Sequence, residues 1–172
     1  GALGERVQIL ADELGPLHGD PAPTGDGPLH FGHARRHRPG MYPAAMDQRT
    51  HLGISPTLVG TVTSLEEGTA KASLVATKEM AADDRGLVHG SFTFGLADYA
   101  AMCAVNDPNV VLGAADTRFL APVTVGQTMV ASAQVTTVKG RKNVVDVRVE
   151  VDGKAVMTGT FTCFVLDQHV LD

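Results

Sequence analysis

Residues 86–105 read GLVHGSFTFGLADYAAMCAV, and the only formal charge in that stretch is the carboxylate of Asp98. From Phe92 onward, Phe94, Leu96, Ala97, Tyr99, Ala100, Ala101, Met102 and Ala104 surround a helical cylinder almost completely. A helix that is apolar on every side must be covered on every side. Ser91 is the predicted N-cap, which leaves Asp98 about two turns inside the helix, too deep to serve as a cap. Withdrawing an ionised carboxylate from water costs several kcal/mol unless it is paired or hydrogen-bonded. Asp98 therefore needs either a structural partner, such as an Arg or backbone groups, or a chemical task.

The surrounding sequence reads as strands. From about Thr57, TLVGTVTSL and TAKASLVAT flank the tip EEG and predict a hairpin. After NDPN come four more strand segments, at 110–120, 128–138, 144–151 and 155–165, joined by PVTVGQ, KGRKN and DGK. The Asp152-Gly153 pair is a strong two-residue hairpin signal. The resulting order, β-β-α-β-β-β-β, lacks the alternating helices of a parallel sheet, so the fold is an antiparallel α+β one. One sheet buries one long helix only by curling around it. The sheet's other face then needs cover from a second copy or from an extension, which predicts a homodimer.

The chain's 172 residues suffice for one domain plus an extension. Residues 1–45 are expected to be that extension, with a short amphipathic helix over GERVQILADEL and then a Pro- and Gly-rich loop; residues 46–172 are the compact domain. In that loop His30, His33 and His37 have no acidic or Cys partner at fixed spacing, so no metal site is expected, and Arg35, Arg36 and Arg38 read as a solvated basic run. Cys103 and Cys163 lie in apolar stretches and read as buried reduced thiols. The net charge of -5 supplies no field for a nucleic-acid backbone, so nucleic acid is not an expected partner. No apolar run is long enough to span a membrane and no signal sequence is evident, so a cytoplasmic location is expected.

Just before the helix, VHG supplies His89 and a flexible Gly90 whose backbone N–H is exposed at the helix start. Oriented N–H donors are what an oxyanion needs, and a carboxylate in a dry pocket activates water or attacks a carbonyl. Asp116 and Arg118 share one face of a strand, as an ion pair or as ligand contacts. No GxSxG nucleophile elbow occurs.

His89-Gly90-Ser91 followed by Leu96-Ala97-Asp98 resembles the HGG…LAD signature of the hotdog-fold acyl-CoA thioesterases, most closely their phenylacetate-degradation branch. TRFLAPVTVGQTMVASAQV, GRKNVVDVRVEVDGKAV and GTFTCFV are similar to that family in kind and order, so the resemblance covers roughly residues 52–165. It implies a hotdog fold: a curved antiparallel sheet around one central helix, in dimers joined edge to edge or in dimers of such dimers, with active sites at the subunit interface. The resemblance makes Asp98 the general base or nucleophile and the Gly90 N–H the donor to the thioester carbonyl. His89 would shape the loop and hydrogen-bond near the thioester. Ser91 replaces the family's second glycine; its hydroxyl would serve the cap or the substrate, and its side chain narrows the approach. Lys139, Arg141 and Lys142 are either a solvated hairpin tip or a cradle for coenzyme A phosphates. Phe92, Phe94, Met102 and Phe119 are the candidates to close an acyl tunnel. No cofactor is implied beyond the coenzyme A of the substrate.

The same sheet and helix resemble a second family, the ligand-binding domain of the malonyl-CoA-responsive repressor of lipid synthesis. That domain has an Asn-type residue where this chain has Asp98, and a DNA-binding helix-turn-helix in front of it. The alternative reading is thus a non-catalytic acyl-CoA sensor. The Pro- and Gly-rich leading segment here argues against DNA binding. A hydratase or dehydratase on this fold pairs a catalytic His with a carboxylate in a different local pattern, which is not found.

Overall fold

The computed structural model describes residues 46–172. The predicted helix at 4–14, the histidines at 30, 33 and 37 and the basic run beside them lie outside the described residues. In chain order the elements are a one-turn helix α1 (Pro56–Val59), β1 (Thr61–Glu66), β2 (Thr69–Val75), a 3-10 turn (Lys78–Met80), the long helix α2 (Gly90–Val105), β3 (Val110–Phe119), β4 (Thr128–Lys139), β5 (Lys142–Val151) and β6 (Lys154–Val165). The six strands form one sheet in the order β1-β2-β4-β5-β6-β3, and every neighbouring pair is antiparallel. The long helix touches all six strands, so the sheet curls over it as the sequence requires.

Three hairpins turn in two residues each. At Asp152-Gly153 both residues have positive φ, 49° and 76°, the requirement of a type I′ turn that matches the twist of its strands. The strand expected from Thr57 starts four residues later. Pro56 presets φ for the first turn of α1, and Gly60, at φ 92°, ends it where any side chain would collide with the Ser73 carbonyl.

The core lies between the sheet's inner face and α2. Along β5, Val145, Val147, Val149 and Val151 are buried, while Asp146, Arg148 and Glu150 alternate with them outward. The strands beneath the helix carry small inner residues, Ala70 and Ala72 on β2 and Ala131 and Ala133 on β4. These leave room for Leu96 and Met102, both fully buried. The outer face is not the apolar surface that the demand for cover assumed. It holds Lys71, Gln134, Asp146, Arg148, Glu150 and Thr160, with Arg148 Nε 2.8 Å from Glu150 Oε1 and Thr160 Oγ1 donating to Asp146 Oδ1 at 2.8 Å. Such a face is satisfied by water and by itself requires no partner.

The C-terminal end of α2 is tied to residues 47–50. Asn106 caps the helix in the left-handed conformation, accepts a hydrogen bond from Arg49 N–H at 2.8 Å and donates to the Asp47 carbonyl at 3.0 Å. Gln48 Nε2 donates to Tyr99 Oη at 3.2 Å and to the Thr50 carbonyl at 2.7 Å. The segment thus forms a strap along the rear half of the helix.

Candidate active site

The helix begins two residues ahead of the start expected from a Ser91 cap. His89 is the N-cap: its Nδ1 accepts from the Ser91 N–H at 3.1 Å and lies 2.8 Å from Ser91 Oγ. Histidine stands outside the usual capping set, but an acceptor nitrogen in this position satisfies the same orphan donor. Because Nδ1 accepts, the neutral ring carries its proton on Nε2. The loop before the cap is held from several sides. Asp83 Oδ1 accepts from Arg85 N–H and Leu87 N–H, both at 3.0 Å; Val88 N–H donates to the Val123 carbonyl at 2.8 Å and His89 N–H to the Met80 carbonyl at 2.9 Å. Gly90 follows as the first helical residue, so its N–H has no intrahelical acceptor, and the described bonds of the loop supply none.

Gly90 sits at the lip of a hollow of about 400 Å³ lined by Val88, Thr93 and residues 119–123. Phe119, at the end of β3, lies across it: a methyl group on Gly90 would stand 3.2 Å from Phe119 Cε1. Of the four candidates for closing a tunnel, Phe119 lines this hollow. Phe94 instead stacks on Phe161 at 5.6 Å between ring centroids, Met102 is fully buried, and Phe92 packs half-buried on the core.

Asp98 is half-buried, and its Oδ1 is fully withdrawn from solvent with no hydrogen-bond partner among the described residues. Burial pushes the carboxyl up to about 6. The partner that a purely structural role would require, an Arg or a set of backbone groups, is not seen at that oxygen among the described residues. Asp98 faces the β6 side of the helix: burial, with a further contribution from the Asp98 charge, pushes the Cys163 thiol of β6 up to about 12.

His89, Gly90 and Ser91 are therefore together, and Asp98 stands apart from them. Eight residues of helix separate Gly90 from Asp98, about 12 Å along the axis, so one chain does not bring both to one carbonyl. Arg118 is exposed on the edge strand β3 beside Phe119. Within the chain no ion pair joins it to Asp116 among the described residues. Lys139, Arg141 and Lys142 mark the β4–β5 turn at the far end of the sheet: Lys142 pairs with Phe164, whereas the other end of β5 pairs with Met129, below Thr93 and the helix start. Arg141 Nη1 lies 3.7 Å from Asp167 Oδ2 at the surface, a solvent-screened pair. No group of three His, Cys, Asp or Glu fit to hold a metal occurs among the described residues, and no described helix is long and apolar enough to cross a membrane. The hollow's walls, Val88, Thr93 and Leu120 to Val123, lie in stretches that sequence reading did not join into one pocket; the pairing of β3 with β6 and the Val88–Val123 and Leu120–Val156 bonds bring them together.

A family model described as thioesterase superfamily matches residues 85–158, the stretch from the loop before α2 to the middle of β6. An uncharacterized protein from Pyrococcus horikoshii, PH1136, is 50% identical with a TM-score of 0.74, over 74% of this chain and 98% of that one. This chain belongs to the thioesterase superfamily. Its fold is the hotdog fold of that superfamily, as the resemblance implied. The superfamily likeness extends to PaaI of the phenylacetic acid degradation operon of E. coli, 27% identical with a TM-score of 0.60 over 65% of this chain and 83% of PaaI. Among curated relatives, a methylthioribose-1-phosphate isomerase from Aquifex aeolicus is 47% identical over 71% of this chain, and the transcription factor FapR from Caldanaerobacter subterraneus is 30% identical over 72% of it. The chain spans 27% of the length of the first and 61% of the second.

Proposed function

We propose that this chain is an acyl-CoA thioesterase, hydrolysing the thioester to a free acid and coenzyme A. The observation that carries the reading is the unpartnered, buried Oδ1 of Asp98 on the same helix whose open start presents the Gly90 N–H. The 12 Å between the two is bridged by a second copy. β3 is an edge strand with one side unpaired; two copies meeting there antiparallel lay their α2 helices side by side in opposite directions, so that Gly90 of one faces Asp98 of the other. That arrangement also brings the basic β4–β5 turn of one copy toward the helix start of the other, where Lys139, Arg141 and Lys142 meet the coenzyme A phosphates.

In such a site the thioester oxygen accepts from the Gly90 N–H, and the His89 Nε2–H is the next donor at the helix start. Asp98 takes a proton from a water that attacks the carbonyl carbon, or attacks that carbon itself and is released by water in a second step. Either way the negative charge moves to the carbonyl oxygen, where the fixed donor is aimed. The thiolate of coenzyme A then leaves, and no Ser-His-Asp triad is needed because a thioester is already an activated carbonyl. In an assay of thiol release from acyl-CoA, Asp98→Asn is expected to lose at least ~100-fold in kcat. A folded variant as fast as the parent would remove Asp98 from the chemistry.

The second reading, a non-catalytic acyl-CoA sensor, is favoured by the 30% identity to FapR. Tight binding of acyl-CoA without thiol release by the parent protein would establish it in place of hydrolysis. An isomerase role has less behind it, since the matched stretch is 27% of that relative.

A further inference from the structure

We propose that the hollow beside Gly90 takes an uncharged, apolar acyl group and that Phe119 sets the size admitted; this rests on the thioesterase reading above. The walls carry no charge: Val88, Phe119, Leu120, Pro122 and Val123 are apolar, and the hydroxyl of Thr93 is engaged with Met129 Sδ at 3.5 Å. An acyl group ending in a carboxylate would have to leave that charge unpaired against these walls, which is costly. A carbonyl oxygen resting on the Gly90 N–H has this space beside it for its acyl chain, since Gly90 is one of the lining residues. At about 400 Å³ the hollow lies toward the small end of ligand pockets, the size for a short to medium chain or a single aryl ring.

The frame of the hollow is pinned by backbone hydrogen bonds, and the side chain lying across it is exposed. Leu120 N–H donates to the Val156 carbonyl at 2.8 Å and Val88 N–H to the Val123 carbonyl at 2.8 Å, which pins both ends of the 120–123 segment. Phe119, by contrast, is 56% exposed in the single chain, at the end of the edge strand through which two copies are proposed to pair, and stacks on no ring among the described residues, yet its edge would stand 3.2 Å from a methyl group on Gly90. A large side chain across the entrance and outside the core is the part of the wall that truncation removes without opening the core. Phe119→Ala therefore lengthens the space, and Phe119→Trp shortens it.

The test is thiol release by the full chain from a set of CoA thioesters: hexanoyl, dodecanoyl, phenylacetyl and succinyl. Gel filtration of each variant accompanies it. The parent is expected to prefer the hexanoyl and phenylacetyl substrates and to be poor with succinyl. Phe119→Ala should move the dodecanoyl-to-hexanoyl ratio of kcat/KM toward dodecanoyl by roughly tenfold, and Phe119→Trp should move it the other way, both without a change of assembly. An unchanged ratio in both variants, a parent that favours succinyl, or a ratio that shifts only together with the elution volume overturns the proposal; the last result makes Phe119 an interface residue. A parent that hydrolyses none of the set refutes the thioesterase reading and this proposal with it. Activity with an unmoved ratio refutes this proposal alone.

Discussion

Replacing Asp98 by Asn is expected to make the protein more stable while it removes activity. The carboxyl is raised from 3.8 to about 6 by burial, so the folded protein holds this proton more tightly than the unfolded chain does. The stability linked to that proton is complete below the ordinary carboxylate range and is lost as pH rises through about 6. Two pKa units correspond to about 3 kcal/mol, the cost of keeping Asp98 ionised in the fold near neutral pH. Asn carries no charge but still leaves a buried polar atom short of a partner, which returns about 1 kcal/mol. The net gain near pH 8 is therefore about 2 kcal/mol, a rise in Tm of roughly 4–8 °C for a chain of this size. Near pH 4, where the parent is protonated, the gain should vanish and the variant should be equal or slightly weaker. Urea or thermal unfolding followed by circular dichroism at both pH values measures this. A variant no more stable than its parent near pH 8, or one whose advantage persists unchanged in acid, would refute the reasoning that Asp98 sits ionised and unsatisfied.

Two further outcomes follow from other parts of the fold. Asn106→Ala removes the two side-chain bonds that tie the 47–50 strap to the end of the helix and leaves a side chain without local hydrogen bonding at φ 53°, so a loss of about 2–3 kcal/mol in urea unfolding is expected, with faster proteolysis ahead of residue 50. Substituting Lys139, Arg141 and Lys142 together by Ala is expected to raise KM for CoA thioesters roughly tenfold and to leave hydrolysis of a truncated thioester, lacking the nucleotide, unchanged; equal effects on the two substrates would take these cations out of the binding site.

The helix, the succession of strands along the chain and the Asp152-Gly153 turn were legible because each rests on a local pattern: an all-apolar cylinder, alternation, and a pair of residues tolerant of positive φ. Asp98 stood out for the same reason, being one charge where none belongs. What escaped depends on contacts distant in sequence. Thr57-Leu58-Val59 has strand composition, yet Pro56 in front and the crowded Gly60 behind turn it into a helical turn. Ser91 has the better capping side chain, but the ring of His89, two residues earlier, accepts from Ser91's own N–H and caps the helix there. Asp116 and Arg118 share a strand face, as the period of two requires, and are exposed without pairing to each other within the chain, where an ion pair gains little. The polarity of the sheet's outer face was readable in the odd positions of β2, β4 and β5 only once their register was known. The separation of Gly90 from Asp98 followed from helical rise alone.

The two cysteines have a practical consequence for every assay named above. Both are buried, and their thiols are pushed up to about 11 at Cys103 and about 12 at Cys163, so neither is an accessible thiolate near neutral pH. A chromogenic disulfide reagent that titrates liberated coenzyme A will thus meet no competing sulfur on the intact molecule. Added denaturant should release two equivalents of colour per chain, which turns the same reagent into a gauge of how much of each mutant preparation is folded.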